Sequence, residues 1–203
     1  MKAKKRILVA PLDWGIGHAT RCIPIIKALI KHNYEVILAA DSRPLHLLSN
    51  EFPNLEIIRF GGYNIKYAKY LPMSISMLLQ APKLLLKIKK ENSLLTEIIK
   101  DYNIDGVISD NRFGLYSKTV PCAFITHQLE IQSPYFKDSI QNFNYKYINK
   151  YDACWVMDSK AINLAGELSQ PNTLPDNTTY IGVQSRFEKE ETEKKYDFLA
   201  LVS

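Results

Sequence analysis

The chain has 203 residues, 46% of them apolar, and a formal net charge of +5, which suffices for one large domain with a sizeable core, two small domains being the alternative. Its three cysteines, Cys22, Cys122 and Cys154, are odd in number and lack C-x-x-C spacing, which argues against a disulfide framework and a zinc site and points to a reducing, cytoplasmic compartment. The basic start, Lys2, Lys4, Lys5 and Arg6, runs into an apolar stretch too short for a secretion signal, so the sequon at Asn177-Thr178-Thr179 reads as an incidental polar loop.

Strand-like and helix-like runs alternate along the chain. In order, the patterning predicts a strand over Arg6–Ala10, a glycine turn, a helix over Pro24–Lys31, a strand over Glu35–Ala40, a short helix over Pro44–Asn50 and a strand over Leu55–Phe60. Helical runs follow over Ile75–Lys90 and Ser93–Tyr102, then strands over Gly106–Ser109 and Ala123–Thr126, a helix near Ser139–Asn149, a strand over Ala153–Met157 and a last short strand over Thr179–Gly182. Near-continuous apolar strands between helices imply an α/β fold, a Rossmann-like parallel sheet with helices on both faces. Ligands in such sheets collect beyond the carboxyl ends of the strands.

The turn Asp13-Trp14-Gly15-Ile16-Gly17-His18 sits at the first of those ends. Glycines let backbone N–H groups approach a ligand, and a helix start favours an anionic group, so a phosphate or sugar-phosphate is the expected ligand of Gly15, Ile16 and Gly17. The plainer reading is a turn that needs positive φ. Gly15-x-Gly17-x-x-Thr20 is two thirds of a dinucleotide fingerprint, with threonine at the third glycine position. His18 projects from the same turn, where the helix start favours a neutral ring able to take a proton from a hydroxyl; the alternative is a histidine that only packs the turn. Two further strand-end loops are polar: Ser109-Asp110-Asn111-Arg112-Phe113-Gly114 and Thr126-His127-Gln128-Leu129-Glu130. Asp110 suits orienting a base, Arg112 pairing with an anionic group, and His127 and Gln128 hydrogen-bonding a sugar or diphosphate. No metal cluster of defensible spacing and no Ser/His/Asp arrangement is read from the sequence.

Every charged residue from Arg59 to Lys90 is basic: Arg59, Lys66, Lys69, Lys83, Lys87, Lys89 and Lys90. Interleaved leucines and methionines, with Tyr63, Tyr67 and Tyr70, suit an anionic membrane surface; a core helix with its lysines in water is the alternative. Pro72, Pro82 and the lysines exclude a membrane span, and the absence of a nucleic-acid motif argues against nucleic acid. At the far end, Glu188 to Lys195 reads as a linker, and Phe198 to Val202 as the start of a buried strand. The expected organisation is a Rossmann-like acceptor-binding domain over 1–187, then a linker and the first strand of a missing carboxy-terminal donor-binding domain over 188–203.

Pro11-Leu12-Asp13-Trp14-Gly15-Ile16-Gly17-His18-Ala19-Thr20-Arg21 resembles the amino-terminal signature of two-domain nucleotide-sugar glycosyltransferases related to the lipid-II-forming N-acetylglucosaminyltransferase family (glycosyltransferase family 28-like), and His127-Gln128 is similar to that family's second polar loop. The resemblance implies the acceptor half of a GT-B fold, whose glycine loop faces a donor diphosphate and whose His18 lies where relatives place a base or a phosphate contact. The glycine loop is poorer in glycine than the family's, and Leu129-Glu130-Ile131 departs from its second loop, so sugar and lipid-linked acceptors both stay open.

The expected activity is inverting transfer of a hexosyl unit from a nucleotide diphosphosugar to a hydroxyl. His18 acts as base, Asp110 steadies it, and Asp13, Arg112, His127 and Gln128 contact the acceptor, with no metal and no cofactor; this half alone is expected to be inactive. The expected location is cytoplasmic, peripheral on the inner membrane face. Three alternatives stand beside it: a noncatalytic membrane-recruiting, acceptor-binding subunit; an NAD-dependent oxidoreductase, with Asp41 as the ribose-binding acid; and a sugar-nucleotide 2-epimerase.

Overall fold

A computed structural model describes residues 3–62, 73–191, 193, 195–198 and 200, and in the helix that begins at Met73 it describes side chains from Gln80 onward. Lys66, Lys69, Tyr63, Tyr67, Tyr70 and most of the expected strand from Phe198 lie outside the described residues.

The elements are β1 (Arg6–Pro11), α1 (Ile16–Lys31), β2 (Glu35–Ala40), α2 (Ser42–Glu51), β3 (Glu56–Arg59), α3 (Met73–Asp101), β4 (Gly106–Asp110), β5 (Cys122–Thr126), α4 (Lys137–Ile148), β6 (Ala153–Val156) and β7 (Thr178–Tyr180), with a 3₁₀ turn at Gly166–Leu168. The seven strands form one parallel sheet in the order β3-β2-β1-β4-β5-β6-β7. Strand order reverses between β1 and β4, whose ends pair Pro11 with Asp110. A reversal opens a crevice beyond the strand ends.

The apolar strands are explained by burial on both faces. Within β1, Leu8 and Ala10 join one core with Leu95 and Ile98 of α3 and Ile148 of α4, whereas Val9 joins the other with Ile23 and Ile26 of α1 and Leu48 of α2. The same alternation divides Val107 from Ile108 in β4 and Phe124 from Ile125 in β5. A period of two with both faces covered reads in sequence as an unbroken apolar run.

Two helices differ from expectation. The first begins at Ile16, directly at the glycine turn, and carries Pro24 inside it, so it extends eight residues ahead of the helical run over Pro24–Lys31 expected from the sequence. The runs read as two helices over Ile75–Lys90 and Ser93–Tyr102 are one 29-residue helix containing Pro82. The supposed break, Glu91-Asn92, is polar because it faces the β4–β5 loop. Asn92 donates to the carbonyls of Gly114 (3.0 Å) and Tyr116 (2.7 Å), and Glu91 accepts from the Gly114 N–H. The approach is close enough that a Cβ on Gly114 would lie 2.6 Å from the Ile88 carbonyl oxygen.

Candidate active site

The site is built where α1 starts and where β4 and β5 end. Gly15 caps α1 with φ 157° and ψ 168°, a region that side-chain-bearing residues rarely adopt. Gly17, inside the first helical turn, has ordinary φ, and a Cβ at either glycine would meet nothing within 4 Å. The turn therefore borders open space, with Trp14 and Ile16 exposed beside it.

His18 and Arg21, three positions apart on α1, lie on one helix face and reach Asp110 at the end of β4. Asp110 is fully buried, and its carboxylate is the hub. Arg21 grips it in a fork, donating Nε–H to Oδ2 at 2.6 Å and an Nη2–H to Oδ1. The Cys22 Sγ lies 3.8 Å from Oδ2 as a thiol donor; burial first, and the Asp110 charge next, push that thiol's pKa well up, so it keeps its proton. His18 Nδ1 is 3.2 Å from Asp110 Oδ1 and 2.6 Å from Arg21 Nη2. Arg21 Nη1 is 2.6 Å from Nδ1 of His127, the residue after β5.

A guanidinium donates only, so the His127 Nδ1 is an acceptor and its proton sits on Nε2. Burial first, and then the charge of Arg21, hold the His127 pKa below its ordinary value. His18, Asp110 and His127 thus converge as the strand-end rule anticipates. Arg21, which joins them, was not singled out by the sequence reading, although its i, i+3 spacing from His18 was the available signal.

The other expected residues fall elsewhere. Asp13 turns toward the end of β3, where its Oδ2 accepts the Gly62 N–H at 3.0 Å and its buried Oδ1 has no partner among the described residues. Gln128 is exposed at the rim. In place of the acceptor contact expected of Arg112, the structure shows a side chain with no exposed surface. All five of its N–H groups are engaged within the protein: Glu91 accepts from Nε and Nη2, the carbonyls of Pro11 and Phe60 accept from Nη1, and that of Gly61 from Nη2. The guanidinium also lies 4.5 Å from the Phe60 ring centroid. Arg112 ties the ends of β1 and β3 to α3.

Beside Arg21 a cleft of about 270 Å³ is lined by Thr20, Arg21, Gln184, Ser185, Arg186 and Phe187. Thr20 donates its hydroxyl to the Gly17 carbonyl at 2.9 Å.

The profile of the family described as Glycosyl transferase family 1 matches residues 5–164. Among curated proteins no sequence matches. Solved structures share the fold: a glycosyltransferase from Rickettsia africae (16% identity, TM-score 0.56, covering 88% of this chain and 43% of that one) and the glycotransferase of kitacinnamycin (13% identity, TM-score 0.57, covering 98% and 56%). A protein described as a UDP-N-acetylglucosamine 2-epimerase from Listeria monocytogenes is similar at 14% identity and TM-score 0.51, covering 87% of this chain and 44% of that one. The chain spans about half the length of the solved structures it matches.

Proposed function

We propose that this chain, which belongs to glycosyl transferase family 1, is the acceptor-binding half of an inverting nucleotide-sugar hexosyltransferase. Residues 1–187 would form that half, with 188–203 leading into a donor-binding domain. The single observation that carries the reading is the 3.2 Å contact between His18 Nδ1 and the fully buried Asp110 carboxylate. A carboxylate behind Nδ1 can accept from a ring whose proton is on Nδ1, the tautomer that leaves Nε2 free as a base.

In the proposed step the acceptor hydroxyl oxygen attacks the anomeric carbon as the bond from that carbon to the diphosphate oxygen breaks. The electron pair leaves on the diphosphate, and the hydroxyl proton passes to His18 Nε2. Direct displacement inverts the anomeric centre. The amides of Gly15, Ile16 and Gly17 stand at a helix start and suit the developing diphosphate charge, while His127, through its Nε2–H, and Gln128 would bind the acceptor. Asp13 would complete the acceptor pocket from the β3 side.

The oxidoreductase alternative is weakened by Thr20, whose hydroxyl bonds back to Gly17 where a dinucleotide fold needs a third glycine. A fold shared with a 2-epimerase does not separate the two chemistries; product analysis does. The full-length protein incubated with UDP- and GDP-hexoses and hydroxyl acceptors should yield a glycoside of inverted configuration. Free 2-epimer with no glycoside would refute the transferase.

A second observation favours an anionic membrane as the acceptor's location. On α3, Leu85 and Leu86 are 46% and 68% exposed, and Lys83, Lys89 and Lys90 are exposed beside them. Among the described residues no helix is long and apolar enough to cross a membrane. Leucines flanked by lysines gain both apolar burial and attraction to anionic lipid. The chain should sediment with phosphatidylglycerol-containing vesicles at low salt and be released by high salt; equal recovery in the supernatant at low salt would exclude a lipid-linked acceptor reached this way, and the noncatalytic recruiting subunit with it.

A further inference from the structure

We propose that Arg21 decides which imidazole nitrogen of His18 carries the proton, and that an anionic diphosphate drawn into the neighbouring cleft releases the base-competent form. The inference rests on the proposed role of His18 as base and adds the residue that controls it.

The argument begins at one atom. His18 Nδ1 lies 2.6 Å from Arg21 Nη2 and 3.2 Å from Asp110 Oδ1. A nitrogen with a lone pair can accept from the guanidinium but not donate to the carboxylate; a nitrogen with a hydrogen does the reverse. The shorter contact belongs to Arg21, so in this arrangement Nδ1 accepts and the proton sits on Nε2. In that tautomer Nε2 of His18 is a donor and cannot take a proton from an acceptor hydroxyl.

Base chemistry requires Arg21 Nη2 to move off Nδ1. The change is small, because Nε still holds Asp110 Oδ2 at 2.6 Å, and Asp110 Oδ1 then receives the Nδ1–H in place of an Nη2–H. The cleft supplies the pull. Arg21 and Arg186 both line it, together with Ser185. A diphosphate there meets two arginines and competes with His18 for Nη2, and charged acceptors form the stronger hydrogen bonds. Donor binding and base activation are thereby coupled through one side chain, which discourages proton abstraction before the donor is in place.

The experiment is long-range ¹H–¹⁵N NMR of the full chain labelled at histidine, with inorganic pyrophosphate as the probe. The free chain should show His18 with its proton on Nε2, and millimolar pyrophosphate should move it to Nδ1. Arg21→Gln should show the Nδ1–H form without pyrophosphate and no response to it. Arg186→Gln should need about tenfold more pyrophosphate, the factor for one lost charge-assisted bond. A free wild-type chain already in the Nδ1–H form, or one whose tautomer ignores pyrophosphate, overturns the proposal, and both readings stand even if Arg21→Gln does not fold. Turnover is not used, so a failed base assignment would show in His18→Asn kinetics and not here.

Discussion

Replacing Arg112 with methionine separates a buried clamp from a ligand-binding cation. The substitution takes the guanidinium away from Glu91, whose side chain is 7% exposed, and it strips donors from the carbonyls of Pro11, Phe60 and Gly61. Breaking a buried ion pair by removing one member costs about 3–5 kcal/mol, and three dry carbonyls raise the total toward about 6 kcal/mol, since each unsatisfied group costs about 1 kcal/mol or more and the penalties overlap. A domain of this kind holds about 5–15 kcal/mol in all. With a urea slope of about 2 kcal/mol/M, the unfolding midpoint should drop by about 2–3 M. Glu91→Leu in the same chain should recover part of the loss, giving a coupling of about 2 kcal/mol in a double-mutant cycle. Equilibrium unfolding followed by far-UV circular dichroism reads both values. A loss under about 1 kcal/mol, typical of a surface position, with no coupling to Glu91, would refute the clamp and return Arg112 to the list of ligand-binding groups.

At Gly62, a Cβ would lie 1.8 Å from Asp13 Oδ1, so Gly62→Ala should cost about 2 kcal/mol in chemical denaturation, and Asp13→Ala in the same chain should recover most of it. The two glycines of the turn should part company: Gly15→Ala, at φ 157°, should cost about 1–3 kcal/mol, whereas Gly17→Ala should stabilise the helix by about 0.5–1 kcal/mol while lowering turnover by crowding the diphosphate. Equal effects on stability and turnover at both positions would contradict the proposed ligand contact. Asp158 accepts from the N–H groups of Ser159, Leu164 and Ala165 and from the Ser169 hydroxyl; burial pushes its pKa up, but these bonds outweigh that and hold it at about 2, below the ordinary 3.8. Because the folded value is the lower one, its stabilisation is present above about 3.8 and lost as pH falls toward about 2. Melting temperature recorded across that window should fall less steeply in Asp158→Asn than in the parent, and parallel profiles would contradict it.

The parallel sheet was legible because each strand alternates between two covered faces, which leaves an uninterrupted apolar run that few other arrangements produce. The strand-end rule then placed His18, Asp110 and His127 together although they are far apart in sequence. Helix limits were harder. Glu91-Asn92 looks like a break because polar pairs usually face water, and only the β4–β5 loop packed against α3 gives them inward partners. Arg112 misled for a related reason: a polar strand-end residue is read as a ligand contact unless its buried partner is known, and Glu91 lies 21 positions away. The part played by Arg21 was hidden behind the glycines and the histidine before it, since a permanently charged side chain at a helix start is ordinarily solvated, and its contacts come from β4 and β5.

The central claim is that His18, backed by Asp110, takes the acceptor proton. Its most direct measurement is steady-state transfer by the full-length protein carrying His18→Asn, with the nucleotide hexose that the parent turns over. A general base contributes about 10²–10⁴-fold, so kcat should fall by that factor with the donor KM changed only a few-fold. A variant that keeps parental kcat would contradict the account.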